Sequence, residues 1–220
     1  KGRYPRGISA KDLALKLAKE ISISGATYMA IEYHGTEWMP LPDRQTLASM
    51  AVELGAKAGI FPPLGLDAGY RIPEWFSVDP DAFYAKELFV DLNTLEPQVA
   101  LPHAVDQVVD VSSVIGTKIN QVFLGTCTNG RYEDMKIAAE ILDGKKISDS
   151  VRFIITPASR AELMKGLSDG TIEKLMQAGG VLTTPGCGVC MGRHQGTLGE
   201  NDVCLSTGNR NFKGRMGAPT

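Results

Sequence analysis

Val122-Phe123-Leu124-Gly125-Thr126-Cys127-Thr128-Asn129-Gly130-Arg131 is the stretch on which the reading of this chain turns. It opens as a short apolar, strand-like run and passes into a turn-forming loop that carries a cysteine. Outward from it the pattern predicts a strand at 121–124, a helix at 132–142, a strand at 152–156 and helices near 160–166 and 171–178. Strands at 181–183 and around 203–206 follow. Strands alternating with helices predict an α/β fold with mainly parallel sheets. In such sheets ligands gather at the carboxyl ends of the strands. Cys127 follows one predicted strand end. Cys187 and Cys190, in Thr184-Pro185-Gly186-Cys187-Gly188-Val189-Cys190-Met191-Gly192, follow another. The three thiols are therefore expected to meet at one sheet edge.

Toward the N-terminus the signals are shorter. Ser9 followed by Asp12 is a capping-box variant, with Leu13, Leu17 and Ile21 on one helical face and Gly25 as a stop. An apolar run, Tyr28 to Ile31, leads into Glu32-Tyr33-His34-Gly35, a strand entering a turn. Pro42-Asp43 starts a second helix with Leu47, Met50, Ala51 and Leu54 as its buried stripe. Gly59 to Phe61 reads as a short buried strand, and residues 62 to 87 as turn-rich with a short helix at Pro80 to Lys86. Leu88–Asp91 and Gln98–Ala100 read as strands. A boundary near residue 110 gives two domains, 1–110 and 111–220.

Composition narrows the function classes. The 220 residues are 43% hydrophobic and 22% charged, as in an ordinary globular protein. A net charge of -2 gives no basic footprint for nucleic acid and no polybasic signal for membrane. No apolar stretch approaches the ~18 residues that span a bilayer. Four cysteines, two of them in Cys-x-x-Cys, suggest metal or redox use in a reducing, cytoplasmic setting. The chain opens at Lys1 without Met and closes in a loop-like Gly-Arg-Met-Gly-Ala-Pro-Thr, which reads as a piece of a longer protein.

Thiolates are soft ligands that suit iron–sulfur clusters or zinc. Three protein thiolates on a four-iron cubane leave one iron open, and an open position distinguishes catalytic from closed sites. A closed zinc site needs a fourth ligand, for which Cys204 and His194 are candidates. Cys204 sits in the apolar run Val203-Cys204-Leu205, where a core cysteine is the ordinary reading. A redox dithiol is the third alternative. The second dense feature is Ser206-Thr207-Gly208-Asn209-Arg210-Asn211-Phe212-Lys213-Gly214-Arg215. Its arginines can hold carboxylates bidentately while its glycines allow close backbone approach, although a solvated loop would have the same composition. Glu53 lies four residues beyond Ser49 on the second helix, where a glutamate is ordinarily solvated. His34, His103 and His194 read as isolated.

Together Glu32-Tyr33-His34-Gly35, Leu54-Gly55-Ala56, Phe61-Pro62, Gly125 to Arg131, Pro185 to Cys190 and Ser206 to Arg215 resemble the large subunits of the aconitase superfamily. The resemblance is strongest to 3-isopropylmalate dehydratase and homoaconitase, and it runs nearly end to end. It implies two aconitase-type three-layer domains, the second and third of the family. It also implies a 4Fe-4S cluster held by Cys127, Cys187 and Cys190, and a hydro-lyase of the leucine-biosynthetic, 3-isopropylmalate type. By the same resemblance Arg210 and Arg215 hold substrate carboxylates, Asn209 lies beside the cluster, and Glu53 interacts with bound hydroxyl or water. Ser49 stands where relatives usually have asparagine. The implied partners are a small subunit carrying the swivel domain and a small hydroxy di- or tricarboxylic acid, with no nucleic acid and no membrane. The first domain and the swivel domain lie outside this chain, so the fragment alone is expected to be inactive. Homoaconitase or aconitase-type isomerisation, an RNA-binding protein and a zinc-stabilised domain are the alternatives.

Overall fold

The computed structural model describes residues 1–66, 69 and 71–219. Positions 67, 68 and 70 of the predicted turn-rich stretch, and Thr220 of the closing loop, lie outside the described residues. The chain forms two compact units, Lys1–Val99 with Val108–Ser113 and Ala100–Gln107 with Val114–Thr220.

The first unit begins with α1, Ala10–Ile21, whose Leu13 and Leu17 are buried. Asp12 holds both ends of a tether: its carboxylate accepts from the Ser9 amide at 2.8 Å and from the Gln98 amide at 2.8 Å. The helix stops at Ile21, where Ser22 takes φ 70°, before the predicted stop at Gly25. β1 (Ala30–Glu32) pairs in parallel with β2 (Ala58–Ile60), Ile31 opposite Gly59. Between them α2 (Leu41–Met50) runs into a 3-10 turn, Ala51–Leu54. The predicted stripe Leu47, Met50, Ala51 and Leu54 is buried throughout. β3 (Gln98–Ala100) pairs with β4 (Val108–Asp110), a strand without a strong sequence signal.

Two expectations in this unit fail. Pro80–Lys86 forms no helix, only a turn at Pro80–Asp81, and Phe83 there is 93% exposed, so no apolar stripe exists to pack a helix. Leu88–Asp91 is not a strand. Phe89 there is 80% exposed and Leu88 43% exposed, so the segment has no buried face to pack as a strand. A 3-10 turn, Leu92–Thr94, follows, capped by Asp91 accepting from the Asn93 amide.

Arg44, on α2, is 2% exposed. Its Nε donates to the Met39 carbonyl at 3.0 Å, Nη1 to Pro62 at 3.3 Å, and Nη2 to Glu37 at 3.2 Å and Leu64 at 2.8 Å. Residues 37–39 follow β1 and residues 62–64 follow β2, so one guanidinium fastens both carboxyl-end loops. Lysine cannot reproduce a planar fork of five donors.

In the second unit a four-stranded sheet, order β7-β6-β5-β8, comprises β5 (Gln121–Gly125), β6 (Arg152–Thr156), β7 (Gly180–Leu182) and β8 (Cys204–Ser206). Every pairing is parallel. Alternation along the strands sends Leu124, Phe153 and Ile155 to one face. There they meet Met135 and Ala139 of α4 (Tyr132–Leu142) and Ile172 and Leu175 of α6 (Thr171–Gln177). α5 (Arg160–Ser168) closes this layer, with the Ser159 hydroxyl capping its Glu162 amide. Phe123 and Ile154 point to the other face, against Val189, Cys190 and Met216. The mixed α/β architecture with parallel pairing is therefore the one the sequence predicts. Among the described residues no helix is long and apolar enough to cross a membrane.

Arg44→Met should lower stability by about 2 kcal/mol, the scale of removing a buried charged donor from one buried and three partly solvated carbonyls. Denaturant unfolding of the variant against the parent chain measures it, and Arg44→Lys is expected to restore less than half of the loss.

Candidate metal centre

All four strands of the second unit run the same way, so their carboxyl ends share one edge. Cys127 lies just past the end of the central strand, in the single helical turn α3 (Thr126–Asn129), and is exposed. Thr126 enters that turn at φ 76°, outside the ordinary range for a side-chain-bearing residue, which fixes an unusual direction for the backbone before Cys127.

Three side chains hold the turn. Arg131 is 7% exposed and donates from Nη1 to the Cys127 carbonyl and from Nη2 to the Thr128 carbonyl at 2.7 Å. Asp134 accepts from the Asn129 side-chain amide at 2.9 Å and from the Arg131 amide at 3.0 Å. Burial raises the Asp134 pKa, partly offset by these hydrogen bonds. Thr207, just beyond β8, accepts from the Gly125 amide at 2.9 Å, and its hydroxyl lies 3.0 Å from the Asn129 carbonyl. The loop that continues to Asn209 and Arg210 is thus bolted to the turn bearing Cys127.

Cys187 and Cys190 lie beyond β7, at and within a 3-10 turn, Gly188–Met191, that folds back across the sheet edge. Gly188 has φ +50°, and a Cβ there would fall 2.4 Å from the Thr156 hydroxyl at the end of β6. The Gly186 amide donates to Pro157 and the Ala158 amide to Gly130, tying the loops after β7, β6 and β5 in sequence. Cys187 is exposed and Cys190 is 5% exposed. The Cys190 sulfur lies 3.9 Å from Asn209 Oδ1 and 4.0 Å from Arg215 Nη2, while the Arg215 guanidinium sits 5.2 Å over the Phe212 ring. Asn211 anchors the same loop by donating to the Leu101 carbonyl at 2.8 Å. Arg210 is half-buried.

The predicted ligand and carboxylate residues of this unit therefore share one sheet edge. Glu53 belongs to the first unit, half-buried on the 3-10 turn after α2. Thr207, Arg131 and Asp134 were not picked out from the sequence as positioning groups. Their signal lies inside the Gly125–Arg131 and Ser206–Arg215 motifs, where a polar residue between glycines looks like any loop residue.

Cys204 is excluded from the cysteine set by register. It pairs with Gln121, the first residue of β5, whereas Cys127 follows the last. At ~3.3 Å per strand residue this puts it roughly 13 Å from the carboxyl edge. Burial pushes its thiol up to about 11, partly offset by Gln121 Nε2, which donates to the sulfur at 3.7 Å. Among the described residues no three His, Cys, Asp or Glu side chains come close enough to share one metal ion. A single zinc needs such a group, whereas a cubane takes each thiolate on a different iron. Two exposed thiols at a rim, and a third with an arginine and an asparagine at its sulfur, form a donor set suited to such a cluster.

Residues 1–70 and 112–220 match the aconitase family (aconitate hydratase). The chain belongs to the aconitase family. It is 49% identical over 218 residues to the 3-isopropylmalate dehydratase large subunit of Herpetosiphon aurantiacus, covering 99% of this chain and 52% of that protein. It is 50% identical over 223 residues to the homoaconitase large subunit of Thermus thermophilus, covering 100% of this chain and 53% of that protein. A probable methanogen homoaconitase large subunit from Methanosarcina mazei is 50% identical over 224 residues, covering 98% and 57%. The chain spans about half the length of the curated relatives it matches. Membership accords with the parallel α/β frame and with the motifs in both units of this aconitase-family chain.

Gly188→Ala combines a left-handed φ with a clash against Thr156, and is expected to cost about 2 kcal/mol and to loosen the Cys187–Cys190 turn. Thermal unfolding and the alkylation rate of Cys190 measure the two effects. Thiol chemistry separates the four cysteines. At pH 8 iodoacetamide should modify Cys127 and Cys187 quickly and leave Cys204 protected, as peptide mapping would read. Because folding raises the Cys204 pKa from 9.0 to about 11, its contribution to stability is present below pH 9 and is lost as pH rises through 11.

Proposed function

We propose that the chain is part of the large subunit of a hydro-lyase that isomerises a hydroxy di- or tricarboxylic acid, of the 3-isopropylmalate type, at a 4Fe-4S cluster. Cys127, Cys187 and Cys190 would hold the cluster, one iron each. The observation that carries this reading is the interlocked carboxyl edge, where the loops bearing those cysteines are bolted to the loop bearing Asn209, Arg210 and Arg215. When bound, such a cluster supplies a Lewis-acidic iron with an open position.

The chain's own groups bind and orient. Arg210 and Arg215 hold substrate carboxylates through charge-assisted, fork-like hydrogen bonds. Arg215, close to the Cys190 sulfur, also offsets negative charge there. Asn209 Oδ1 accepts from the Cys190 thiol at 3.9 Å, which places this side chain beside the same sulfur. Thr207 fixes the distance between the carboxylate-binding loop and the Cys127 turn, so a bound acid is oriented rather than merely captured. Glu53 is assigned to the hydroxyl or water exchanged with the substrate. The wording "large subunit" in the relatives' names fits a separate small-subunit partner, and the complete site is assigned to that assembly. Homoaconitase is the second reading, since the homoaconitase relative is as similar as the dehydratase relative.

The test uses the complete large subunit, reconstituted anaerobically with iron and sulfide and mixed with its small subunit. Interconversion of isopropylmalate isomers is expected, with Arg210→Lys lowering kcat/KM about 100-fold, because lysine keeps the charge and loses the two-point fork on the carboxylate. Turnover of homocitrate-derived acids alone would shift the assignment to homoaconitase. Turnover of neither, in a brown reconstituted complex, would contradict the proposal.

A further inference from the structure

The first unit carries a second group of ligand-type atoms that the proposed chemistry does not use. β1 ends at Glu32, and the Tyr33 amide carries the pairing one step further by donating to the Ile60 carbonyl at 2.9 Å. Tyr33 turns inward, 9% exposed and stacked on Phe61 with ring centroids 4.6 Å apart. Strand alternation then sends Glu32 and His34 outward on the same side. Tyr84, from the segment that forms neither helix nor strand, reaches over to them. His34 is therefore not the isolated residue that the sequence suggests.

The three polar atoms form a nearly equilateral triangle. Glu32 Oε1 lies 2.9 Å from His34 Nε2, the Tyr84 hydroxyl lies 3.0 Å from Glu32 Oε1, and His34 Nε2 lies 3.1 Å from the Tyr84 hydroxyl. Linear hydrogen bonds alone do not serve all three edges; one proton must be shared between two acceptors. With Glu32 ionised, only two protons are available, one on the Tyr84 oxygen and one on Nε2. Two linear hydrogen bonds can form, and the third edge is served only by a proton shared between two acceptors.

A cation in place of those protons would fit all three edges at once. Ligands about 2.1 Å from an octahedral ion, a usual first-row distance, sit about 3.0 Å apart when adjacent. The observed edges fall around that value, so the three atoms form one face of an octahedron. His34 is 54% exposed and Glu32 21%, which leaves an open side for entry and for water ligands. Two anchors are fixed before any ion arrives, because Glu32 pairs with Ile60 and the Tyr33 amide donates to the Ile60 carbonyl at 2.9 Å. The neighbouring sequence adds negative charge from Asp79, Asp81 and Glu87.

We propose that Glu32, His34 and Tyr84 form a separate mononuclear metal site that takes ferric iron through one carboxylate, one imidazole and one phenolate oxygen. Carboxylate and imidazole suit iron, and the charge of a ferric ion drives the phenol to ionise. On binding, the Tyr84 proton leaves to solvent and the imidazole proton moves from Nε2 to Nδ1, freeing the Nε2 lone pair for the ion. The ion ties the 77–91 segment to the end of β1. It does not depend on the cysteines or on the proposed hydro-lyase activity.

The test adds ferric citrate to the chain after its thiols have been blocked with iodoacetamide. One iron per chain is expected, with a visible charge-transfer band and phenolate ring modes in the resonance Raman spectrum. Tyr84→Phe, which keeps the ring and its packing, should abolish the band, and His34→Ala should weaken binding at least tenfold. Trypsin cleavage after Lys86 should slow with iron in the parent chain and not in Tyr84→Phe. No phenolate signal in the parent chain, or a signal unchanged in Tyr84→Phe, would overturn the proposal.

Discussion

Parallel pairing of β5 between β6 and β8 is the constraint from which the candidate metal centre follows. A parallel sheet cannot be closed by short hairpins, so each strand leaves at the same edge and returns by a crossover. Every loop after β5, β6, β7 and β8 must begin at that edge. The cysteines and arginines are placed there by the direction of the strands before any side-chain interaction acts. The register of β8 also decides which cysteine is excluded, because Cys204 opens its strand whereas Cys127 follows its own.

Strand direction gives only coarse placement. Thr207 converts two neighbouring loops into one piece, and Arg131 does so within the Cys127 turn. Both work through backbone carbonyls and amides, which have fixed positions relative to the strands. The close approach of Gly188 to Thr156 then lets the Cys187–Cys190 turn lie down on the edge. Arg44 plays a comparable role in the first unit, where a single buried cation satisfies carbonyls from two loops after parallel strands. In both units polar side chains without a direct chemical part set the loops that follow the strands.

Much of this frame was legible in the sequence because its signals are local. Helix 132–142 and strand 152–156 are read from periodicity alone and match α4 and β6. The stripe Leu47, Met50, Ala51 and Leu54 is likewise a helical pattern that the packing obeys. The failures have non-local causes. Leu88–Asp91 has strand composition, yet Leu88 and Phe89 are left exposed with no neighbouring strand to pair or pack against among the described residues. Ser22 ends α1 early through a backbone angle that its side chain does not announce. The Glu32–His34–Tyr84 triangle could not be read at all, because Tyr84 is brought in by a segment with no periodicity.

The claim that three cysteines of the second unit each take a different iron is tested most directly by Mössbauer spectroscopy of the iron-57-reconstituted large subunit, recorded with and without a hydroxy-acid ligand. The account predicts a cubane spectrum in which one iron of four is distinct and shifts when the acid is added. Four equivalent irons insensitive to the acid would mean a fully thiolate-ligated cluster, and would contradict the cradle formed by Cys127, Cys187 and Cys190.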